Sequence, residues 1–353
     1  MIVRVLFATI VTLALSAPAQ TVQIRVFALF HPTALDVASA QGSTLVLVSD
    51  GTQTILGSER GHRIARLQFA AGQLLLNGTP VQAVHVASRN GDPTDFTLSV
   101  PGRIIRRYHG TLRVTVDQHN LLPIVTMDIE TAVASVVAAE SAPSTPLEAM
   151  KAQAVAARSF FYAGGRHGDE EFCDTTHCQF LREPPPPSSL ASQAARETQG
   201  LVLTWHGAPL AAMYSSRCGG RTRTLRETGA SVNGYPYFAV ECAYCRRHPY
   251  QWTRALSSAD ERQLESSGEE ASEHARLAID RVHGWSAIPS NDYSTASGPD
   301  GVTLHGRGQG HGLGLCQYGA AGMAAEGADF SEILRHYYPE TELQSLTVGG
   351  TAK

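Results

Sequence analysis

The pattern of apolar residues changes at residue 128, and this change constrains the fold more than any other feature of the sequence. Before it, short apolar runs are separated by pairs such as Asn77-Gly78 and Asn90-Gly91, which favour hairpin turns. After it, apolar residues recur at helical spacing. The sequence therefore predicts an α+β protein, with a strand-rich N-terminal region at residues 20–127 followed by a mixed region at residues 128–345.

Two helices are predicted directly after the change. Apolar residues over 129–140 share one helix face, and Pro143 must end that helix. The stretch Thr145-Pro146-Leu147-Glu148 supplies an N-cap, a proline at the first helical position and a capping-box glutamate for a second helix. Residues 257–278 are rich in Ser, Glu and Arg, and we interpret them as a solvated helix or a surface excursion.

The N-terminus has the features of a secretory signal peptide. A single Arg4 precedes an apolar run from Val5 to Leu15, and Ala17-Pro18-Ala19 fits a cleavage site. The run is short for a membrane-spanning helix. We therefore expect residues 1–19 to be removed and the mature chain to be exported, to the periplasm, the cell wall or the medium.

The composition limits the classes of partner. The chain has 353 residues, of which 43% are hydrophobic, so it can bury a sizeable core. Its net charge is only −4, without the broad basic surface that nucleic-acid binding needs. We expect no nucleic-acid partner.

Six cysteines form two groups in the sequence. The first group is His167, Cys173 and Cys178, with His177 as a further ligand, and its spacing suits either Zn²⁺ or a disulfide beside bystander histidines. The second group is Cys218, Cys242, Cys245 and Cys316. These four could bind a metal or form two disulfides, which an exported protein slightly favours, and the pairing cannot be deduced from sequence.

Glu140 is the carboxylate with the most unusual sequence context. It ends an otherwise apolar helix, where the helix dipole and apolar neighbours both disfavour the ionised form and raise the pKa. A carboxyl that stays protonated near neutral pH suits a general acid. The alternative is an ordinary exposed glutamate at a helix terminus.

The stretch at residues 306–319 is rich in glycines, which lose much conformational entropy when they are ordered, and it also carries polar side chains. His311, Cys316, Gln317 and Tyr318 lie between the glycines and can form hydrogen bonds or bind metal. Such a segment is either part of a site or a glycine-rich surface loop.

Four stretches, taken in order, resemble the SpoIID/LytB family (stage II sporulation protein D and amidase enhancer). They are VASVVAAESAP at residues 133–143, PLEAMKAQAVAARS at 146–159, DTTHCQ at 174–179 and GRGQGHGLGLCQYGA at 306–320. The resemblance spans about residues 110 to 340. It implies that residues 128–345 form a catalytic domain that acts as a lytic transglycosylase on peptidoglycan glycan strands, with Glu140 as the catalytic residue.

The resemblance also implies roles for other residues. A structural zinc ion would be held by His167, Cys173 and Cys178, with His177 as the possible fourth ligand. Our own hypothesis, beyond the resemblance, is that His311, Gln317, Tyr318 and Arg158 bind substrate or support the site. One glutamate would serve as acid and then as base while a 1,6-anhydro ring closes. The alternative is a non-enzymatic, glycan-binding protein that enhances a cell-wall amidase.

The sequence departs from the family pattern at three places. The family usually has Glu-Met-Pro where this chain has Glu140-Ser141-Ala142-Pro143, one residue longer. Gln309 stands where a tryptophan is frequent, and Cys316 where serine is common. The first two departures affect the loop after Glu140 and the stacking of a sugar ring.

Overall fold

The computed structural model describes residues 20–40, 43–57, 63–167, 171–229, 234–266, 272–284, 286–298 and 301–346. The predicted signal peptide, residues 1–19, lies outside the described residues. Within the described ranges, no helix combines the length and the apolar character that crossing a membrane requires.

A twelve-stranded sheet forms most of the N-terminal region. Its strands are β1 Thr21–Arg25, β2 Ala34–Ser39, β3 Leu45–Ser49, β4 Thr52–Leu56, β5 Ile64–Ala70, β6 Gln73–Leu76, β7 Thr79–Val81, β8 Val84–Ala87, β9 Thr94–Val100, β10 Ile104–Asp117, β11 Asn120–Asp128 and β12 Phe172–Cys173. The long β10 pairs with β9 over its first half and with β11 over its second half. Strand β12 comes from beyond the first two helices and pairs in parallel with β1.

The rest of the described chain mixes helices with short strands. The helices are α1 Ile129–Glu140, α2 Leu147–Tyr162, α3 Leu190–Glu197, α4 Leu225–Thr228, α5 Ala243–Arg247, α6 Ser258–Ser266, α7 Ser272–His283, α8 Gln317–Ala325 and α9 Phe330–Tyr337. The strands are β13 Leu201–Trp205, β14 Ala208–Pro209, β15 Tyr214–Ser215, β16 Gln251–Ala255, β17 Tyr293–Gly298, β18 Gly301–Arg307, β19 Leu315–Cys316 and β20 Glu342–Ser345. The predicted α+β class is confirmed.

The first two helices lie where the sequence predicted them, with one difference at the start of α2. The Asp128 side chain accepts hydrogen bonds from the first backbone N–H groups of α1, and α1 ends at Glu140. Helix α2 begins at Leu147, and Pro146 precedes it without any side-chain cap. The predicted capping box is wrong, because the Glu148 carboxylate instead accepts hydrogen bonds from Lys151 and from the backbone N–H of Phe330 in α9.

Arg158 is buried in α2 and holds several elements together. Its side chain is 0% exposed and forms an ion pair with Glu130 of α1. It also donates to the carbonyl oxygens of Ala195 at 3.1 Å and Leu201 at 3.0 Å. These contacts join α1, α2, α3 and β13, so the geometry favours the supporting role among the roles considered for Arg158.

Replacing Arg158 with alanine should destabilise the fold strongly. The variant leaves the Glu130 carboxylate partly buried without its cation, which costs about 3–5 kcal/mol in comparable sites. The control is Arg66→Ala, which removes an ion pair with Asp36 from the exposed face of the sheet. Chemical denaturation should show a large loss of unfolding free energy for Arg158→Ala and no comparable loss for Arg66→Ala. Equal unfolding midpoints would contradict this role.

Candidate functional site

The Glu140 carboxyl is partly buried at the last residue of α1 and is held by a segment distant in sequence. Its Oε1 accepts a hydrogen bond from the Phe180 backbone N–H at 3.2 Å. The Gln317 side chain donates to the Glu140 carbonyl oxygen at 3.3 Å. Burial raises the pKa of Glu140 to about 7, while hydrogen bonds from Phe180 and Gln317 act in the opposite direction. The carboxyl can therefore both hold and release a proton near neutral pH.

Two clefts meet at Glu140. Residues Glu140, Ser216 and Gln317 line both of them. The first cleft is further lined by Gln179, Tyr214, Ser215, Glu273, Arg276, Asp280, Gln309 and His311, among others. The second cleft is further lined by Ser141, Gln153, Arg217, Tyr244 and Tyr318, among others. Glu140 thus lies between two cavities that could each hold part of an extended ligand.

The glycine-rich stretch forms a wall of both clefts. Gly308, Gly310, Gly312 and Gly314 all have positive φ, between 63° and 91°, which other residues adopt at a cost. A Cβ atom at Gly314 would lie 2.0 Å from the Met213 carbonyl oxygen. This close approach allows β19 to pair in parallel with β15, at Tyr214 and Ser215. The glycines therefore bring Gln317 and His311 to the cleft.

His311 lies on the first cleft in a neutral form. Burial lowers the pKa of His311 below its ordinary value. Its Nδ1 accepts a hydrogen bond from the Leu313 backbone N–H at 3.0 Å, so the proton of the neutral ring is on Nε2. The backbone of Tyr214 also hydrogen-bonds the ring, and a neutral imidazole adds no positive charge to the first cleft.

Tyr318 lies on the second cleft beside a cation and a second aromatic ring. The Arg217 guanidinium carbon lies 3.8 Å from the centre of the Tyr318 ring. The Tyr244 ring packs edge-on at 5.1 Å between centroids. Of the predicted site residues, Glu140, His311, Gln317 and Tyr318 are brought together, whereas Arg158 does not line either cleft.

The His167, Cys173, His177 and Cys178 side chains converge, and their ligand atoms all lie within 4.8 Å of one another. The two sulfurs are 3.2 Å apart, and His167 Nε2 lies 3.5 Å from the Cys178 sulfur. His177 Nδ1 lies 3.8 and 3.7 Å from the two sulfurs. Two nitrogens and two sulfurs at this spacing fit the tetrahedral coordination of Zn²⁺, with His177 as the fourth ligand.

The segment that carries this cluster also reaches Glu140. Asp174 accepts hydrogen bonds from the backbone N–H groups of Phe27 and Ala28 and from Arg106, which ties the segment to the N-terminal sheet. Gln179 donates to the Ala157 carbonyl oxygen of α2 at 3.1 Å. The next residue is Phe180, whose N–H binds Glu140. The position of the His/Cys cluster therefore affects the position of the Phe180 N–H and, through it, of the Glu140 carboxyl.

Helix α7 contributes residues that the sequence interpretation missed. Arg276 is buried and forms ion pairs with Glu273 and Asp280, and all three line the first cleft. The interpretation of residues 257–278 as solvated is therefore wrong for the inner face of α7. The sequence did indicate this inner face. Ala275 and Ile279 are apolar, are buried and recur at helical spacing in a stretch dominated by charged residues.

Comparison with known proteins agrees with these features. The profile of the family described as SpoIID, stage II sporulation protein, matches residues 117–205, which contain Glu140 and the His/Cys cluster. An uncharacterized protein of Brachyspira hyodysenteriae is 30% identical over 262 residues, which is 65% of this chain and 70% of that protein. The chain belongs to the SpoIID/LytB family.

Two relatives within this family have descriptive names. Stage II sporulation protein D of Bacillus subtilis is 26% identical over 257 residues, which is 61% of this chain and 74% of that protein. The amidase enhancer of Bacillus subtilis is 25% identical over 280 residues, 58% of this chain and 39% of that protein. Membership of the SpoIID/LytB family supports a role related to the cell wall.

The raised pKa of Glu140 predicts how stability depends on pH in this SpoIID/LytB chain. The folded state holds the proton more tightly than the unfolded state, so stability falls as pH rises from about 4.5 to about 7 and then levels off. Glu140→Gln cannot ionise. Above pH 7 it should be the more stable protein by roughly 3 kcal/mol, from about 1.4 kcal/mol per pKa unit. Unfolding free energies that stay parallel across this pH range would contradict the raised pKa.

Proposed function

We propose that the protein is a peptidoglycan lytic transglycosylase that cleaves the β-1,4 bond between N-acetylmuramic acid and N-acetylglucosamine in glycan strands. The observation that carries the proposal is the Glu140 carboxyl, partly buried at the junction of two clefts with a pKa raised to about 7. A group with this pKa is partly protonated near neutral pH and can serve as a general acid.

Glu140 would act twice in one turnover. In the first step its proton goes to the bridging oxygen, the bond from that oxygen to muramyl C1 breaks, and N-acetylglucosamine leaves with a free 4-hydroxyl. In the second step the muramyl 6-hydroxyl oxygen bonds to C1, and its proton returns to Glu140. The product ends in a 1,6-anhydro ring, no water is consumed, and one carboxyl is enough.

The other carboxylates of the first cleft are already engaged, which supports a single-carboxylate mechanism. Glu273 and Asp280 both bind Arg276. Asp280 also accepts a hydrogen bond from the Ile288 backbone N–H at 2.9 Å. A hydrolase of the usual kind needs a second carboxylate free to activate water or to attack the sugar. Glu273 and Asp280 are instead held by the Arg276 guanidinium, and Asp280 is also held by a backbone N–H group.

The clefts have features that suit a sugar polymer. The buried Ser215 hydroxyl lines the first cleft and has no hydrogen-bond partner among the described residues. Unpartnered buried polar groups are costly unless a ligand satisfies them. Tyr244 and Tyr318 offer aromatic surface in the second cleft, whereas Gln309 provides no such surface in the first.

Zinc at His167, Cys173, His177 and Cys178 would be structural. Four protein ligands fill a tetrahedral shell and leave no position for substrate or water. Bound zinc would cross-link the loop that ends at Phe180 and so hold the N–H group that binds Glu140. We further propose that the chain is exported and acts on the cell wall, as the signal-peptide pattern at residues 1–19 suggests.

A non-enzymatic role is the second candidate, and the similarity to a protein named amidase enhancer favours it. In that case the clefts would bind glycan while a cell-wall amidase performed the chemistry. The two candidates differ in their dependence on Glu140. Stimulation of an amidase would survive Glu140→Gln, whereas cleavage by the protein itself would not.

Glu140→Gln should abolish release of soluble fragments from purified glycan strands that lack stem peptides, because the amide has no acidic proton to donate. The loss should reach at least the roughly 10²–10⁴-fold typical of general acid catalysis. Glu197→Gln is the matched control, since Glu197 is exposed on α3 and does not line either cleft. Circular dichroism should be unchanged for both variants. Wild-type turnover by Glu140→Gln would exclude Glu140 as the acid.

A further inference from the structure

Four buried cysteines outside the His/Cys cluster converge on one point. Cys218, Cys242, Cys245 and Cys316 are all at most 3% exposed, and their sulfurs lie within 4.8 Å of one another. We call them the four-cysteine cluster. Cys218 follows β15, Cys242 and Cys245 flank the first turn of α5, and Cys316 precedes α8. Three distant segments are thus brought to a single centre.

The spacing of the sulfurs fits one metal ion better than two disulfides. A disulfide bond is about 2.05 Å long, whereas the Cys245 and Cys316 sulfurs are 3.5 Å apart. Zinc–sulfur bonds of about 2.3 Å in a tetrahedron place the sulfurs about 3.8 Å apart. All four sulfurs lie within 4.8 Å of one another, so a single ion could contact all of them.

The surroundings of the cluster are built for sulfur ligands. The Cys316 sulfur accepts hydrogen bonds from the backbone N–H groups of Gly319 at 3.3 Å and of Cys218 at 3.4 Å. The Tyr337 hydroxyl lies 3.4 Å from the Cys242 sulfur. A Cβ atom at Gly319 would lie 2.5 Å from that sulfur, so only glycine leaves room for it. Backbone and hydroxyl donors of this kind stabilise metal-bound thiolates.

We propose that the four-cysteine cluster binds a second zinc ion, with a structural role distinct from that of the His/Cys cluster. Four sulfur ligands close the coordination shell, which is typical of structural zinc.

The four-cysteine cluster lies directly beside residues that line the clefts at Glu140. Ser216 and Arg217 precede Cys218, while Gln317 and Tyr318 follow Cys316, and all four line the clefts at Glu140. Across the two segments, the Tyr318 N–H donates to the Ser216 carbonyl oxygen at 3.1 Å. The ion would therefore fix two loops that line the clefts at Glu140.

The test is the metal content and ligand set of the full chain, purified without chelators. Elemental analysis and native mass spectrometry should find two zinc ions per chain. X-ray absorption should show an average of three sulfur and one nitrogen ligands per zinc, because the two groups together offer six sulfurs and two nitrogens. The Cys173→Ser/Cys178→Ser variant should retain one zinc with sulfur ligands only. The Cys242→Ser/Cys245→Ser variant should retain one zinc with mixed ligands.

Three results would overturn the proposal. One is a single zinc per wild-type chain with two sulfur and two nitrogen ligands. Another is iron in place of zinc at the sulfur-only site, which the visible spectrum would reveal. The third is a mass, under denaturing and non-reducing conditions, that shows these four cysteines joined in disulfides. Each of these measurements uses the wild-type protein, so the test does not depend on the variants folding.

Discussion

The burial of the Glu140 carboxyl is the constraint on which the site depends. Removal from water raises its pKa to about 7, and hydrogen bonds from Phe180 and Gln317 oppose this without cancelling it. The balance is set by two segments that lie far from α1 in sequence. The first carries the His/Cys cluster, and the second is the glycine-rich wall. The protonation state of one side chain therefore reports on the packing of the entire cleft.

The N-terminal sheet takes part in this arrangement although it does not line either cleft at Glu140. Strand β12 pairs with β1, and the two residues beside it, Glu171 and Asp174, bind arginines of the sheet. The segment is thus anchored by the sheet at Glu171–Asp174 and by the converging side chains of His167, Cys173, His177 and Cys178, which lie on both sides of this anchor in the sequence. We infer that the sheet serves as a support from which the loop reaches Phe180.

Local features of the site could be predicted from sequence, whereas its assembly could not. The end of α1 at Glu140 follows from Pro143, and the tight turns at residues 308–314 follow from the glycines. The capping box of α2 was predicted wrongly because Glu148 binds the backbone N–H of Phe330, a contact across 182 residues. The inner face of α7 was missed because its charged residues pair with one another when buried. The convergence of four cysteines spread over residues 218–316 depends on tertiary structure alone.

We propose that Glu140 closes an anhydro ring without using water. The most direct test is to incubate the protein with glycan strands in water enriched in oxygen-18 and to determine the masses of the released fragments. The account predicts fragments that lack one water and carry no oxygen-18 from the cleavage step. Fragments with reducing ends that contain oxygen-18 would mean hydrolysis and would contradict the single-carboxylate mechanism.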